Sequence, residues 1–335
     1  MTKIFITGTA GFIGFHLAKS LLNDGFYVHG YDGITDYYDI NLKNKRHNIL
    51  KKNINFKSTE GMLEDYKKLD ASINAFQPDV IIHLAAQAGV RYSLENPEAC
   101  INSNIIGTFN IMEIAKNQKI IHLLIASTSS VYGANSKIPF SELEKSDSQL
   151  SIYAATKKSN EIMAHTYSHL WKIPTTAFRF FTVYGPWGRP DMAIFKFVSS
   201  ILNGKAINIY NNGKMYRDFT YIDDLVYGIR LLIDKIPKAD GIDIVKKDNL
   251  SSVAPFRIVN IGNSKKVKLL DLIKTIEKAL GKKANYNFMP MQKGDVITTW
   301  ADISLLKNLT DYDSATNIEE GIHKFIKWYK EYYKV

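Results

Sequence analysis

One short stretch limits this chain more than any other: Thr7-Gly8-Thr9-Ala10-Gly11-Phe12-Ile13-Gly14, between the apolar run Lys3–Ile6 and a helical pattern at Ile13–Leu22. Glycines at a strand-to-helix turn let backbone approach a ligand closely. The helix N-terminus behind them offers unpaired N–H groups and partial positive charge to a phosphate. The spacing is G-x-x-G-x-x-G, one residue longer at the first gap than the common dinucleotide fingerprint. Glycines also serve plain tight turns, so the position of the motif carries more weight than its letters. The next apolar run ends at Tyr31, and Asp32 follows, eighteen residues after Gly14. A carboxylate there either caps a strand or binds both ribose hydroxyls of NAD and repels the 2′-phosphate of NADP.

The first half of the chain repeats this rhythm. Lys3–Ile6, Tyr27–Tyr31, Val80–Leu84, Ile121–Ala126 and Thr175–Phe178 are short runs rich in β-branched or aromatic residues. Helical patterns fall around Ile13–Leu22, Asp65–Phe76, Ala99–Lys116 and Ala154–Trp171. The alternation predicts βαβ units in a doubly wound parallel sheet, an α/β fold with ligands outside the carboxyl ends of its strands. After Gly185 the rhythm breaks at Gly185-Pro186, Gly188-Arg189-Pro190 and Asn211-Asn212-Gly213. The polar stretch Lys238–Ser252 is expected as a surface loop, Phe256–Ile261 as a strand, and Leu269–Leu280 and Ile318–Tyr332 as amphipathic helices. A smaller second domain is expected after Phe180, with some chain returning to the first.

A length of 335 residues, 45% of them hydrophobic and 23% charged, suits a globular protein with a sizeable core. No apolar run approaches the roughly 20 residues of a membrane helix, and Met1-Thr2-Lys3 leaves no room for a signal peptide before Ile4. The single cysteine, Cys100, excludes an internal disulfide and fits a reducing cytoplasm. The net charge of +10 is spread along the chain, and its densest run, Lys43–Lys52, is interrupted by Asn, Ile and Leu. That diffuse pattern argues against nucleic acid and suits a small anionic ligand. No metal-ligand cluster is expected.

Two further strand ends carry candidate chemistry. Leu84-Ala85-Ala86-Gln87-Ala88-Gly89 would let a flat nucleotide lie against backbone. The run Ala126-Ser127-Thr128-Ser129-Ser130-Val131-Tyr132-Gly133 puts four hydroxyls at a strand end, either a simple turn or part of a reactive site. Tyr153 and Lys157, at i and i+4, share one face of the following helix. A phenol near pKa 10 is a poor base at neutral pH, and a nearby ammonium or cationic ring would favour its phenolate.

The set Gly8/Gly11/Gly14, Ala85-Ala86, Thr128, Tyr153 and Lys157 resembles the extended short-chain dehydrogenases/reductases, in the NAD-dependent nucleotide-sugar epimerase/dehydratase branch, across essentially the whole chain. The motifs Ala88–Ser93, Arg179–Ala193 and Arg217–Asp224 are similar to those of the UDP-glucuronate 4-epimerases. The resemblance implies a Rossmann domain over 1–180, with returning segments around 218–235 and 256–262. It implies a smaller C-terminal α/β domain for the UDP-sugar over 181–217 and 263–335. For the NAD site it implies Gly8, Gly11, Phe12, Ile13, Gly14, Asp32, Leu63, Leu84, Ala85, Ala86, Gln87 and Ser127, with Tyr153 and Lys157. It makes Tyr153 the base for the sugar 4-OH, Lys157 the holder of the nicotinamide ribose that lowers the Tyr153 pKa, and Thr128 the partner of O4. Ser127 is expected beside nicotinamide, and Ser129 and Ser130 facing the sugar. The substrate set is completed by Arg91, by Arg217 for the diphosphate, by Asp295 for the uridine ribose, and by Thr182 and Arg189 for a sugar carboxylate. A homodimer built from helices Ala99–Lys116 and Ala154–Trp171 is implied, as is a product feeding surface polysaccharide.

Met62 stands where many relatives carry an adenine-reading Asp, and Gly33 where an Asn is common. Gln292 replaces an arginine of the galactose epimerases. The resemblance leaves other readings to compare: UDP-glucose or UDP-N-acetylglucosamine 4-epimerase, UDP-glucuronate decarboxylase, 4,6-dehydratase, and a nucleotide-sensing binding module. Modules of that kind typically lose the Tyr/Lys pair, which is intact here. Related decarboxylases carry T-S-E-V-Y and dehydratases an Asp-Glu pair after the threonine; the run here is Thr128-Ser129-Ser130-Val131-Tyr132, with no acid.

Overall fold

The computed structural model describes residues 2–238, 245–246 and 248–335. Six strands form in the first half: β1 (Lys3–Thr7), β2 (Tyr27–Asp32), β3 (Phe56–Glu60), β4 (Val80–His83), β5 (His122–Thr128) and β6 (Thr175–Phe180). With Phe256–Ile261 they make one seven-stranded parallel sheet, in the order Phe256–Ile261, β6, β5, β4, β1, β2, β3. The order reverses direction at β1 and β4, so the crevice between their carboxyl ends is the switch point where ligands bind. β4, β5 and β6 are buried at every position, as a sheet covered on both faces requires.

Successive strand residues feed opposite faces. Ile4, Ile6, Val28, Ile82, Leu124 and Phe178 join a core cluster with the helix Phe12–Asn23. Phe5, Ile81, Leu123, Ile125 and Ala177 join a second cluster with the helices Gly107–Ala115 and Ile152–Trp171. The first cluster runs on through the helices Ile222–Ile233, Leu269–Leu280 and Ile318–Tyr333. Beyond β6, Thr182–Tyr184 pairs with Tyr216–Tyr221, which pairs with Lys266–Lys268; Ala206–Tyr210 pairs with Asn285–Met289.

The structure departs from the sequence expectation in three places. β3, Phe-Lys-Ser-Thr-Glu, is a polar edge strand that gives no apolar run. The helix expected over Ala99–Lys116 is interrupted by a π-helical turn at Ile101–Ile106, a feature that often marks a site of function. The stretch Lys238–Ser252 lies partly outside the described residues, but its Asp248 is a buried partner of Arg257, with Nε···Oδ1 and Nη2···Oδ2 distances of 2.8 Å. No helix among the described residues is long and apolar enough to cross a membrane.

Candidate active site

β1 stops at Thr7 and the chain turns through Gly8–Gly11 into the helix Phe12–Asn23. Gly8 has φ +86°, and a Cβ on it would lie 2.9 Å from the Ala85 amide nitrogen. A Cβ on Gly14 would lie 2.1 Å from the Gly8 carbonyl oxygen. Only glycine lets turn, helix and the Leu84–Ala85 strand end close on one another. Gly11 supplies no side-chain cap, so the first-turn amides, Phe12, Ile13 and Gly14 among them, remain for an outside anion. Asp32 Oδ2 accepts Ala10 N–H at 2.8 Å and Oδ1 accepts Ile34 N–H at 2.8 Å. Each oxygen keeps a further lone pair for a ribose hydroxyl. These residues fit a dinucleotide.

At the ends of β2 and β3 a cleft of about 490 Å³ is lined by Gly33, Glu60, Gly61, Met62, Asp65 and Lys68. A Cβ on Gly33 would fall 2.5 Å from Met62 Sδ. The two departures from the family pattern therefore share one space, with the thioether lying where any side chain at position 33 would begin. Leu63 is buried beside them, and its carbonyl accepts Asn110 Nδ2 at 2.9 Å.

The strand end Leu84–Gln87 is fixed from below. Thr7 Oγ1 accepts the amides of Leu84 and Ala85 at 3.1 and 3.0 Å and bonds His83 Nδ1 at 2.8 Å. Burial holds the His83 pKa down to about 3, so the ring is neutral. Asn104, on the π turn, accepts Gln87 N–H at 2.8 Å and donates to Gln87 O at 3.1 Å and Thr156 Oγ1 at 3.0 Å. Sequence reading missed Asn104, whose signal is only a buried amide inside a helical pattern.

The four hydroxyls at the end of β5 take different paths. Ser127 Oγ donates to Glu161 Oε1 at 2.6 Å, inside a buried network. Thr128 Oγ1 accepts Ser130 N–H at 3.2 Å and donates to Ser130 Oγ at 3.3 Å; Ser129 and Ser130 are half-buried. The Thr128 hydroxyl lies near the Tyr153 phenol. Burial pushes the Tyr153 pKa up, against the Thr128 hydrogen bond and the charge of Arg189. Lys157 is buried on the same helix as Tyr153. Its ammonium donates to Ala126 O at 2.9 Å, and burial lowers its pKa to about 8. The charge of Arg189 acts on the phenol in the direction that favours the phenolate.

Arg189 Nε and Nη2 donate to Asp191 Oδ1 and Oδ2 at 3.0 and 2.6 Å. Thr182 is half-buried on its short strand. Arg91 meets Asp295 Oδ2 at 3.2 Å and lies 4.4 Å from the Tyr210 ring centre. Arg217 donates to Tyr216 O at 2.8 Å and Ile297 O at 3.1 Å, within the fields of Asp295 and Arg91. The expected residues thus gather as a dinucleotide cradle, a Thr128–Tyr153–Arg189 group and an Arg91–Asp295–Arg217 group. Among the described residues no cluster of metal-ligand side chains occurs.

The profile of the family described as GDP-mannose 4,6 dehydratase matches residues 5–325. A probable UDP-glucuronate 4-epimerase of Rhizobium meliloti is 53% identical over 99% of this chain and 98% of its own length. UDP-glucuronate 4-epimerase 4 of Arabidopsis thaliana is 43% identical, covering 98% of this chain and 76% of the plant protein. Among solved structures, the UDP-glucuronic acid 4-epimerase of Bacillus cereus, in complex with UDP-glucuronic acid and NAD, superposes with a TM-score of 0.88. It is 33% identical, over 99% of this chain and 100% of the other.

Proposed function

Because this chain belongs to the GDP-mannose 4,6 dehydratase family of extended short-chain dehydrogenases/reductases, we propose that it is an NAD-dependent UDP-glucuronate 4-epimerase, converting UDP-glucuronate to UDP-galacturonate through a 4-keto intermediate. The observation that carries the reading is a half-buried tyrosine near a threonine hydroxyl and within the field of a guanidinium that Asp191 holds fixed. Tyr153 takes the proton of the sugar 4-OH, with Thr128 holding O4. NAD, when bound, accepts hydride from C4 and returns it to the other face, so each cycle is redox-neutral. Lys157 holds the cofactor ribose and Asp32 the adenosine ribose. Arg217 and Arg91 hold the diphosphate, and Asp295 the uridine ribose.

Oxidation at C4 makes the uronate a β-keto acid. Decarboxylation would break C5–C6, pass its electron pair into a C4 enolate, release carbon dioxide and add a proton at C5. Ser129, Ser130, Thr182 and Arg189 bind the C6 carboxylate instead, and no acid stands at Ser129 or Ser130 to serve a second reaction. UDP-glucose, with a hydroxymethyl group at C6, would give Arg189 no carboxylate to bind. Chromatography and NMR of UDP-glucuronate incubated with the protein should give UDP-galacturonate with little UDP-pentose. UDP-xylose or a UDP-4-keto-pentose as main product would refute epimerisation, and nucleotide binding without turnover would make the chain a sensing module. Arg189→Ala should cut kcat/KM for UDP-glucuronate about 10–100-fold, the range of a charged hydrogen-bond pair. The limb on which activity rises with pH should also move to higher pH, since the phenolate loses a charge that favours it. Unchanged uronate kinetics would place the carboxylate elsewhere.

The same reading divides labour between residues 1–180 with the returning segments, which bind NAD, and 181–217 with 263–335, which bind the UDP-sugar. It assigns the enzyme to the cytoplasm, where cofactor and substrate are made. It also assigns a homodimer. Ile101, Ile106 and Phe109, and Ile162, Leu170 and Trp171 on the helix Ile152–Trp171, expose large apolar side chains. Phe109→Glu with Ile162→Glu should yield a monomer by light scattering; a persisting dimer would put the interface elsewhere.

A further inference from the structure

Arg189 is held by more than its neighbour two residues on. Asp191 Oδ2, which accepts from Arg189 Nη2 at 2.6 Å, also accepts the Tyr37 hydroxyl at 3.2 Å. The Tyr37 ring centre lies 5.8 Å from the guanidinium carbon and 4.6 Å from the Tyr92 ring centre. Gly89, at φ +124°, makes room for it: a Cβ there would come 2.9 Å from the Tyr37 hydroxyl. Three segments therefore meet around Tyr37 and the guanidinium it faces. One leads from the Asp32 strand end, one follows β4, and one carries Arg189 itself. Burial pushes the Tyr37 phenol up to about 12, so it remains a donor at any working pH.

An arginine side chain has several rotatable bonds and five N–H donors in a flat fork. Asp191 occupies the Nε–H and one Nη2–H, which fixes the plane and leaves the Nη1 pair and the second Nη2–H unspent. We propose that Tyr37 and Asp191 are positioning residues that lock the Arg189 guanidinium in one plane, so that a single outer edge meets the carboxylate of the 4-keto sugar. The inference rests on the reading that Arg189 takes that carboxylate. A guanidinium held this way pins C6, and with it the C4–C5 torsion that sets the direction of the C5–C6 bond. That keeps the bond out of line with the C4 carbonyl π system, where its electron pair would need to go for carbon dioxide to leave. A loose guanidinium would let the ring change pucker and swing that bond into line.

The test uses NAD-loaded wild type, Tyr37→Phe, Asp191→Asn and Arg189→Ala with UDP-glucuronate. It measures UDP affinity, KM, kcat and the share of decarboxylated product. Tyr37→Phe, which deletes one hydroxyl, should raise that share about threefold and KM in step, the scale of one hydrogen bond. Asp191→Asn, which breaks the charged bidentate grip, should raise the share about tenfold. UDP affinity should stay at the wild-type value in both, a separation that general misfolding would not produce. A wild-type product split in both variants, with an altered split in Arg189→Ala, overturns the positioning role alone. An unaltered split and KM in Arg189→Ala overturns the underlying carboxylate reading. If Asp191→Asn does not fold, Tyr37→Phe decides by the same criteria.

Discussion

Tyr153→Phe should abolish nearly all epimerisation while leaving UDP-sugar and NAD binding intact. General-base catalysis is worth about 10²–10⁴-fold, and the 4-OH proton must leave before any carbonyl can form at C4. The loss therefore falls at the top of that range or beyond. The local chemistry sharpens the expectation. Burial opposes the phenolate, and the Thr128 hydrogen bond and Arg189 charge only partly offset it. Lys157 spends a proton on Ala126 O, and His83 is held neutral by burial and bonded to Thr7 and Thr108. No other group described in the site is ready to stand in. Product formation over hours, with UDP binding by calorimetry as the control, checks it. A tenth of wild-type activity in the variant would move the base to another residue.

The largest effect on stability should come from a residue that touches neither ligand. Glu161 Oε1 accepts from Ser127 Oγ at 2.6 Å and Arg179 Nε at 2.8 Å, and Oε2 accepts Arg179 Nη2 at 2.8 Å. Both partners are buried, and the guanidinium carbon lies 4.6 Å from the Tyr132 ring centre. Glu161→Ala would strand a buried guanidinium, which costs about 3–5 kcal/mol. Denaturant unfolding should read that loss. The double replacement Glu161→Met with Arg179→Met should cost less than Glu161→Ala, because it removes both charges together. Additive losses would show that the pair is not coupled. Burial pushes the Glu161 carboxyl up, but the hydrogen bonds and charge of Arg179 outweigh it and hold the pKa below the ordinary value. The contribution is therefore complete above the unfolded carboxylate's pKa and is lost as pH falls through the folded one.

The central strands are legible because strands covered on both faces read as apolar runs. Val80–Leu84 and Ile121–Ala126 could be little else. The glycine turn is legible because its reason is local: the Cβ atoms it excludes would strike its own backbone or the next strand end. What escapes depends on distant chain. β3 is an edge strand half in water, and Asn285–Met289 is exposed along most of its length and paired on only one side. The role of Ser127 is hidden because its partner is set by a helix, Ile152–Trp171, laid across the register that puts Ser127 beside Arg179. Arg189 is readable as a carboxylate ligand, and Asp191 beside it is visible in the letters. Tyr37, 154 residues before Asp191, is joined to them only by the fold.

The place of Phe256–Ile261 in the sheet has a consequence for how the protein is made. β6 is buried at all its positions because this late strand covers its outer edge. Synthesis proceeds at about 5–20 residues per second, so a nascent chain spends seconds with six strands able to pair and the sixth unprotected. During that interval the growing polypeptide presents a long, apolar, ungated parallel edge, the kind of template that recruits other chains. The helix Ile222–Ile233, which emerges first, can dock on the Phe12–Asn23 face but leaves that edge open. Translation speed between the two strands, and any chaperone that binds extended apolar segments, therefore acts on yield at this one seam.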